Sequence, residues 1–148
     1  MNNTKIRCTF AGHSEIHNSN LVEAIKTTAK ELITEYGVNE FWVGHYGDFD
    51  HYAAKAVREL KQEYPRMHYA VVLAYMPGRQ TEYEDHSDTM LPEGIEAVHP
   101  RYAISWRNSW MLNRSEYVVT YITHTWGGAT QYAKKAKAKG KICINLVL

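Results

Sequence analysis

Cysteine is almost absent from this sequence: Cys8 and Cys143 are the two it has. Both fall inside apolar runs that read as buried strands, where a free thiol behaves as a small hydrophobe. A disulfide framework and a cysteine-rich zinc site are therefore excluded. No stretch approaches the roughly 20 apolar residues that a membrane-spanning helix needs, and the polar start from Met1 to Arg7 leads into no signal-like apolar segment. These absences predict a cytoplasmic protein with no membrane partner. Neither sign of charge dominates: 17 Lys and Arg stand against 16 Asp and Glu, a balance that argues against bulk nucleic acid as the partner. Phenylalanine is scarce, at 3 residues, whereas tyrosine reaches 11 and tryptophan 4. Rings with polar tips suit places that are apolar on one side and wet on the other, so these either pack the core or touch a ligand or partner.

What is present fits one domain, residues 1–148, long enough to bury a core without staples. Ile6 to Ala11 is a short apolar strand closed by Gly12, and the polar loop His13 to Asn20 leads into helical spacing at Leu21, Ala24, Ile25, Ala29, Leu32, Ile33 and Tyr36. Gly37 stands where a helix commonly ends. Phe41 to Val43 forms a second strand, stopped by Gly44 and Gly47. A helix follows along Tyr52, Ala53, Ala56, Val57 and Leu60, with Asp48 or Asp50 expected as its cap and Pro65 beyond its end. The near-continuous apolar run His68 to Met76 predicts a strand covered on both faces. Arg79 to His99 is polar and weakly periodic, a long excursion of the lid or loop kind. Pro100 opens a helix through Asn113, Tyr117 to Ile122 is a strand, Thr130 to Lys139 a helix, and Lys141 to Val147 the last strand. Such alternation implies right-handed crossovers, giving an α/β, Rossmann-like three-layer fold with a mainly parallel five-stranded sheet.

In such sheets ligands sit outside the carboxyl ends of the strands. Three glycine-containing loops should meet there: Gly12-His13-Ser14-Glu15, Gly44-His45-Tyr46-Gly47-Asp48-Phe49-Asp50, and Trp126-Gly127-Gly128-Ala129-Thr130. Each glycine either shapes a strand-to-helix turn or admits a ligand. The last loop opens a helix, whose free N–H groups and positive dipole end favour a phosphate or carboxylate. It is neither a P-loop nor a dinucleotide fingerprint, since Gly-Lys-Ser/Thr and Gly-x-Gly-x-x-Gly are both missing. The histidines His13, His17, His45, His51 and His124 lie near these loops without the spacing of a metal site, so no metal and no cofactor is expected. Hydrogen-bonding or acid–base roles suit His13 and His45 better. Arg107 either reaches a phosphate bidentately or makes a surface ion pair, and Tyr102, Trp106 and Trp110 read as core, dimer contact or stacking surface.

The order of Phe10-Ala11-Gly12-His13, Gly44-x-x-Gly47-x-Phe49-Asp50, Arg107-Asn108-x-x-Met111 and Gly127-Gly128-Ala129-Thr130 resembles the SLOG superfamily. That group of Rossmann-like proteins includes YpsA-type proteins, cytokinin-activating LOG phosphoribohydrolases and ligand sensors of bacterial defence systems. The resemblance spans nearly the whole chain and implies binding or sensing of a small nucleotide-derived ligand, with phosphate near the last glycine loop and base or sugar nearer the first two. It also implies a homodimer. The LOG motif Pro-Gly-Gly-x-Gly-Thr-x-x-Glu ends in a catalytic Glu; here Ala133 stands in that place, while Arg107 matches the Arg of the preceding helix. An N-glycosidic bond breaks through a cationic sugar that a carboxylate stabilises, so a hydrolase or transferase would have to draw on Glu15, Asp48 or Asp50 instead. A third reading is a domain that sequesters a signalling nucleotide for a phage or mobile element, or docks onto a partner protein.

Overall fold

The computed structural model describes residues 4–13, 16, 20–76 and 87–146. In chain order its elements are β1 (Arg7–Gly12), α1 (Leu21–Tyr36), β2 (Glu40–Val43), α2 (Asp48–Glu63), β3 (His68–Val72), β4 (Thr89–Met90), two short 3₁₀ turns (Ile95–Ala97 and Pro100–Tyr102), α3 (Ala103–Asn113), β5 (Tyr117–Tyr121), α4 (Gly128–Ala138) and β6 (Ile142–Asn145). All strand pairs are parallel, in the order β4-β3-β2-β1-β5-β6. The fold is thus Rossmann-like α/β. No helix among the described residues is long and apolar enough to cross a membrane.

The period-2 alternation of the strands builds two cores. Cys8 and Phe10 of β1, Phe41 and Val43 of β2 and Val119 of β5 turn to the face covered by α1 and α2, where Leu21, Ile25, Ala29 and Leu32 meet Phe49, Ala53, Val57 and Leu60. Val118 turns the other way, to Leu112 of α3 and Tyr132 and Ala136 of α4, and Trp42 meets Val72 and Met111. Burying each large side chain contributes about 1.5–3 kcal/mol, so helical spacing and strand alternation fix which side of each element turns inward, and the right-handed crossovers fix which helix lies on which face. Thr9, fully buried between apolar neighbours, satisfies its hydroxyl by donating to the Trp42 carbonyl, 3.0 Å away.

Four expectations are corrected in detail. The sheet has six strands, because Thr89 and Met90 pair with Val71 and Val72; two residues are too few to show a period in sequence. Asp88 anchors this edge, accepting hydrogen bonds from Arg58 Nε (2.8 Å) and the Tyr69 hydroxyl (2.9 Å). Neither Asp48 nor Asp50 caps α2: the cap residue is Gly47, and both carboxylates lie in the first turn. Cys143 lies on the edge strand β6 and is only partly buried, unlike Cys8. Finally, Pro100 opens a 3₁₀ turn that passes into α3 at Ala103, and α4 begins at Gly128, ahead of Thr130.

Gly12 ends β1 where Phe49 passes over it, and a Cβ there would stand 2.3 Å from Phe49 Cγ. Such overpacking costs about 1–3 kcal/mol. Gly12→Ala should therefore lower the unfolding free energy read from urea titration by that amount, and Gly12→Ala/Phe49→Leu should be less destabilised than the two single changes added together. Strict additivity in the double-mutant cycle would show that this contact does not set the cost.

Candidate functional site

From β1 the chain moves in one direction across the sheet through β2, β3 and β4, and β5 and β6 lie on the other side of β1. The connections leaving β1 and β5 therefore diverge to opposite faces, opening a crevice at the carboxyl ends of these two neighbours. A cleft of about 460 Å³ occupies that place, lined by Phe10, Ala11, Gly12 and His13 of β1 and its loop, Tyr46 and Asp50 after β2, Ile104, Arg107 and Asn108 of α3, and His124, Trp126, Gly127, Gly128, Ala129 and Tyr132 after β5. Its volume lies in the roughly 300–1,000 Å³ range of small-molecule sites.

Of the residues singled out in sequence, Gly12, His13, Asp50, Arg107, Trp126, Gly127, Gly128 and Ala129 share this cleft. Others stand behind its wall. Gly44 backs the polar pair: a Cβ there would lie 2.7 Å from Asp50 Oδ2 and 3.1 Å from Arg107 Cζ, so only glycine lets both groups in. His45 packs edge-on against His51, Gly47 caps α2, and Asp48 accepts the Ile16 N–H at 2.8 Å, which ties the loop after β1 to α2. The Thr130 hydroxyl bridges the His124 and Trp126 carbonyls at 2.9 and 3.0 Å, holding the loop rather than facing the cleft. Ser14, Glu15 and His17 lie outside the described residues. Tyr46, Ile104, Asn108, His124 and Tyr132 line the cleft without having been proposed for it. Tyr46, Asn108 and His124 sit inside or beside segments that were, whereas Tyr132 carries no signal separating it from an ordinary core position on α4.

Arg107 is no surface ion pair. It is 1% exposed, donates from Nη1 to the Val72 carbonyl and from Nε to Asn108 Oδ1, both at 2.9 Å, and so ties α3 to the end of β3. Burial lowers its proton affinity, and Asp50 opposes that shift. For Asp50, burial against the cleft wall outweighs Arg107, the Tyr46 N–H (2.9 Å) and His51, and raises its pKa to about 6. Burial also holds the Tyr132 phenol well above its usual range, keeping it a neutral O–H. That hydroxyl lies beside Thr9, whose own hydrogen goes to the Trp42 carbonyl, and His124 Nδ1 is buried with no hydrogen-bond partner among the described residues. His13 Nε2 accepts the Thr123 N–H at 2.9 Å, and burial and His124 both lower its pKa, so His13 is neutral. Among the described residues no three His, Cys, Asp or Glu side chains cluster as metal ligands would.

Fold and cleft together define a Rossmann-like α/β domain with a crevice at its switch point. Among solved structures the chain is similar to DNA processing protein A (DprA) from Streptococcus pneumoniae, with a TM-score of 0.71 over 97% of this chain and 51% of that one, at 11% sequence identity. The chain spans about half of that neighbour's length, and the likeness is one of fold. No family model and no curated protein sequence matches the chain.

Asp50 supplies a test of the cleft's electrostatics. Folded, it keeps its proton up to about pH 6; unfolded, it releases it near 3.8. Between these values the folded state binds more protons, so this group's contribution falls as pH rises and is fully lost above about pH 6. A shift of this size corresponds to roughly 1–3 kcal/mol after allowance for partial exposure to the cleft. Urea unfolding from pH 4 to 7.5 should therefore show Asp50→Asn gaining stability relative to wild type as pH rises. A pH-independent difference would place Asp50 in an ordinary solvated setting.

Proposed function

We propose that this chain is a SLOG-type domain that binds a small nucleotide-derived ligand, its anionic group at the start of α4 and the remainder within the cleft that Arg107, Asp50, His13 and Trp126 line. The observation that carries this reading is the meeting, at one crevice, of the N-terminus of α4 with the buried cation of Arg107 and the phenol of Tyr132. The first N–H groups of α4 have no intrahelical acceptor and attract an anion. Arg107 spends two of its five donors on protein acceptors, which fixes its fork and leaves donors for a ligand. A homodimer, carried by the same resemblance, is read by light scattering on the same sample.

A second reading is turnover, favoured by Asp50, which, unlike Asp48, lines the cleft, with a proton affinity near neutrality suited to acid–base work. In N-glycosidic hydrolysis the base nitrogen would leave with a proton, and a water oxygen would join the anomeric carbon. Free base found by chromatography, and lost in Asp50→Asn, would select this reading over pure binding. The neighbour's name speaks of DNA processing, so a short single-stranded oligonucleotide belongs in the same titrations. Tighter binding to it than to mononucleotides would replace the small ligand by a nucleic acid strand.

Gly128 tests the anion cradle directly, because a Cβ there meets nothing within 4 Å and its backbone is not left-handed. Gly128→Val should leave circular dichroism and the urea midpoint unchanged while weakening binding of ADP-ribose or AMP by about tenfold or more in calorimetry. Unchanged affinity would remove the start of α4 from the site.

A further inference from the structure

The loops after β1 and β5 are joined by a column of rings. His13 stacks on His124 with centroids 3.7 Å apart and planes 13° apart, and His124 stacks on Trp126 at 4.0 Å and 22°. The column is pinned at its inner end, where His13 accepts the Thr123 N–H, and along its length by Thr130, which holds the His124 and Trp126 carbonyls. Gly127 makes the arrangement possible. It takes a left-handed φ of 98°, which a residue with a Cβ rarely adopts.

The outer end is unlike the rest of the chain's tryptophans. Trp42 is buried and stacked on Trp110, and Trp106 packs beside Ile95 and Ala103. Trp126 is 67% exposed although His124 covers one face, so its other face is open, and it lines the cleft next to Gly127, Gly128 and Ala129. An exposed indole ordinarily loses side-chain freedom when something stacks on it. This one is already held flat by the column, so the ordering cost is met before a ligand arrives.

We infer that Trp126 is the ring-recognition residue of the cleft: the ligand's flat heterocycle stacks on the open indole face as the fourth ring of the column, while its anionic group takes the N–H groups at the start of α4. This inference rests on the proposed function and deepens it, assigning to one side chain the choice between ligands that carry a base and ligands that do not. His13 and His124 are positioning residues, acting through the indole.

The experiment is calorimetry of wild type, Trp126→Ala and Trp126→Phe with the four common ribonucleoside monophosphates and with ribose 5-phosphate, which has the phosphate and sugar but no base. Base stacking on an aromatic side chain amounts to about a tenfold or larger gain in affinity. Wild type should thus prefer at least one mononucleotide over ribose 5-phosphate by about that factor. Trp126→Ala should erase the preference while binding ribose 5-phosphate within about twofold of wild type, and Trp126→Phe should restore most of it. Equal affinity for both probe classes in wild type, or a preference that survives Trp126→Ala, overturns ring recognition and leaves the anion cradle standing. Failure of wild type to bind any of the five overturns both. Circular dichroism checks that the exposed substitution leaves the fold intact.

Discussion

The handedness of the crossovers governs everything else in this molecule. A strand feeding a helix and returning to a parallel strand must do so in the right-handed sense. Because β2 and β5 flank β1 on opposite sides, the chain must leave β1 toward one face and β5 toward the other. The tops of these two strands consequently cannot be closed by their own connections. A crevice there follows from topology, and what distinguishes one such domain from another is the set of side chains brought to it.

In this chain those side chains are placed by missing Cβ atoms as much as by contacts. Gly12 lets Phe49 pass over the end of β1, which seats the first turn of α2 close to the sheet; Gly44 leaves the space that Asp50 and Arg107 fill. Through Nη1 to Val72 and through its proximity to Gly44, Arg107 reaches the ends of both β2 and β3 from α3, a helix on the opposite side of the sheet from α2. A guanidinium 1% exposed is therefore both a tie between layers and the fixed positive charge of the cleft. Removing it would leave the Val72 carbonyl without this donor and Asp50 without its counter-charge, at a cost of several kcal/mol.

Much of this was legible in the residues. The long helices α1 and α2 and the parallel strands declare themselves by period, since each buries one face, and loops that end parallel strands must share one rim; hence Gly12, Asp50 and Gly127 could be grouped without coordinates, while Arg107, on α3, was added by its aromatic setting and by the resemblance. What stayed hidden had no periodic or local signature. β4 is two residues long and depends on Asp88 being caught by Arg58 and Tyr69, a contact across 30 and 19 positions of chain. Tyr132 reads as one more apolar position of α4, and only its place on the cleft wall marks it. The caps were misassigned because Asp48 and Asp50 have the right chemistry at the right place, yet their carboxylates are drawn to Ile16 and Tyr46 instead. The resemblance to the SLOG group pointed to the same rim, while the fold likeness alone reaches no further than the architecture.

The cleft is also where local consistency gives way. Elsewhere the buried polar groups are satisfied at short range: Thr9 by the Trp42 carbonyl, Ser115 by the Met111 carbonyl at 2.8 Å, Thr120 by Asn145 at 3.0 Å. Around the crevice a guanidinium is desolvated, a carboxyl is driven toward its neutral form, and an imidazole nitrogen is buried with no hydrogen-bond partner among the described residues. Burying each of these groups carries a desolvation cost that opposes folding. Sequences tend to break their own folding rules at functional positions. Such breaks within one cleft, beside the exposed indole of Trp126, make it the part of the described structure where polar burial is least compensated.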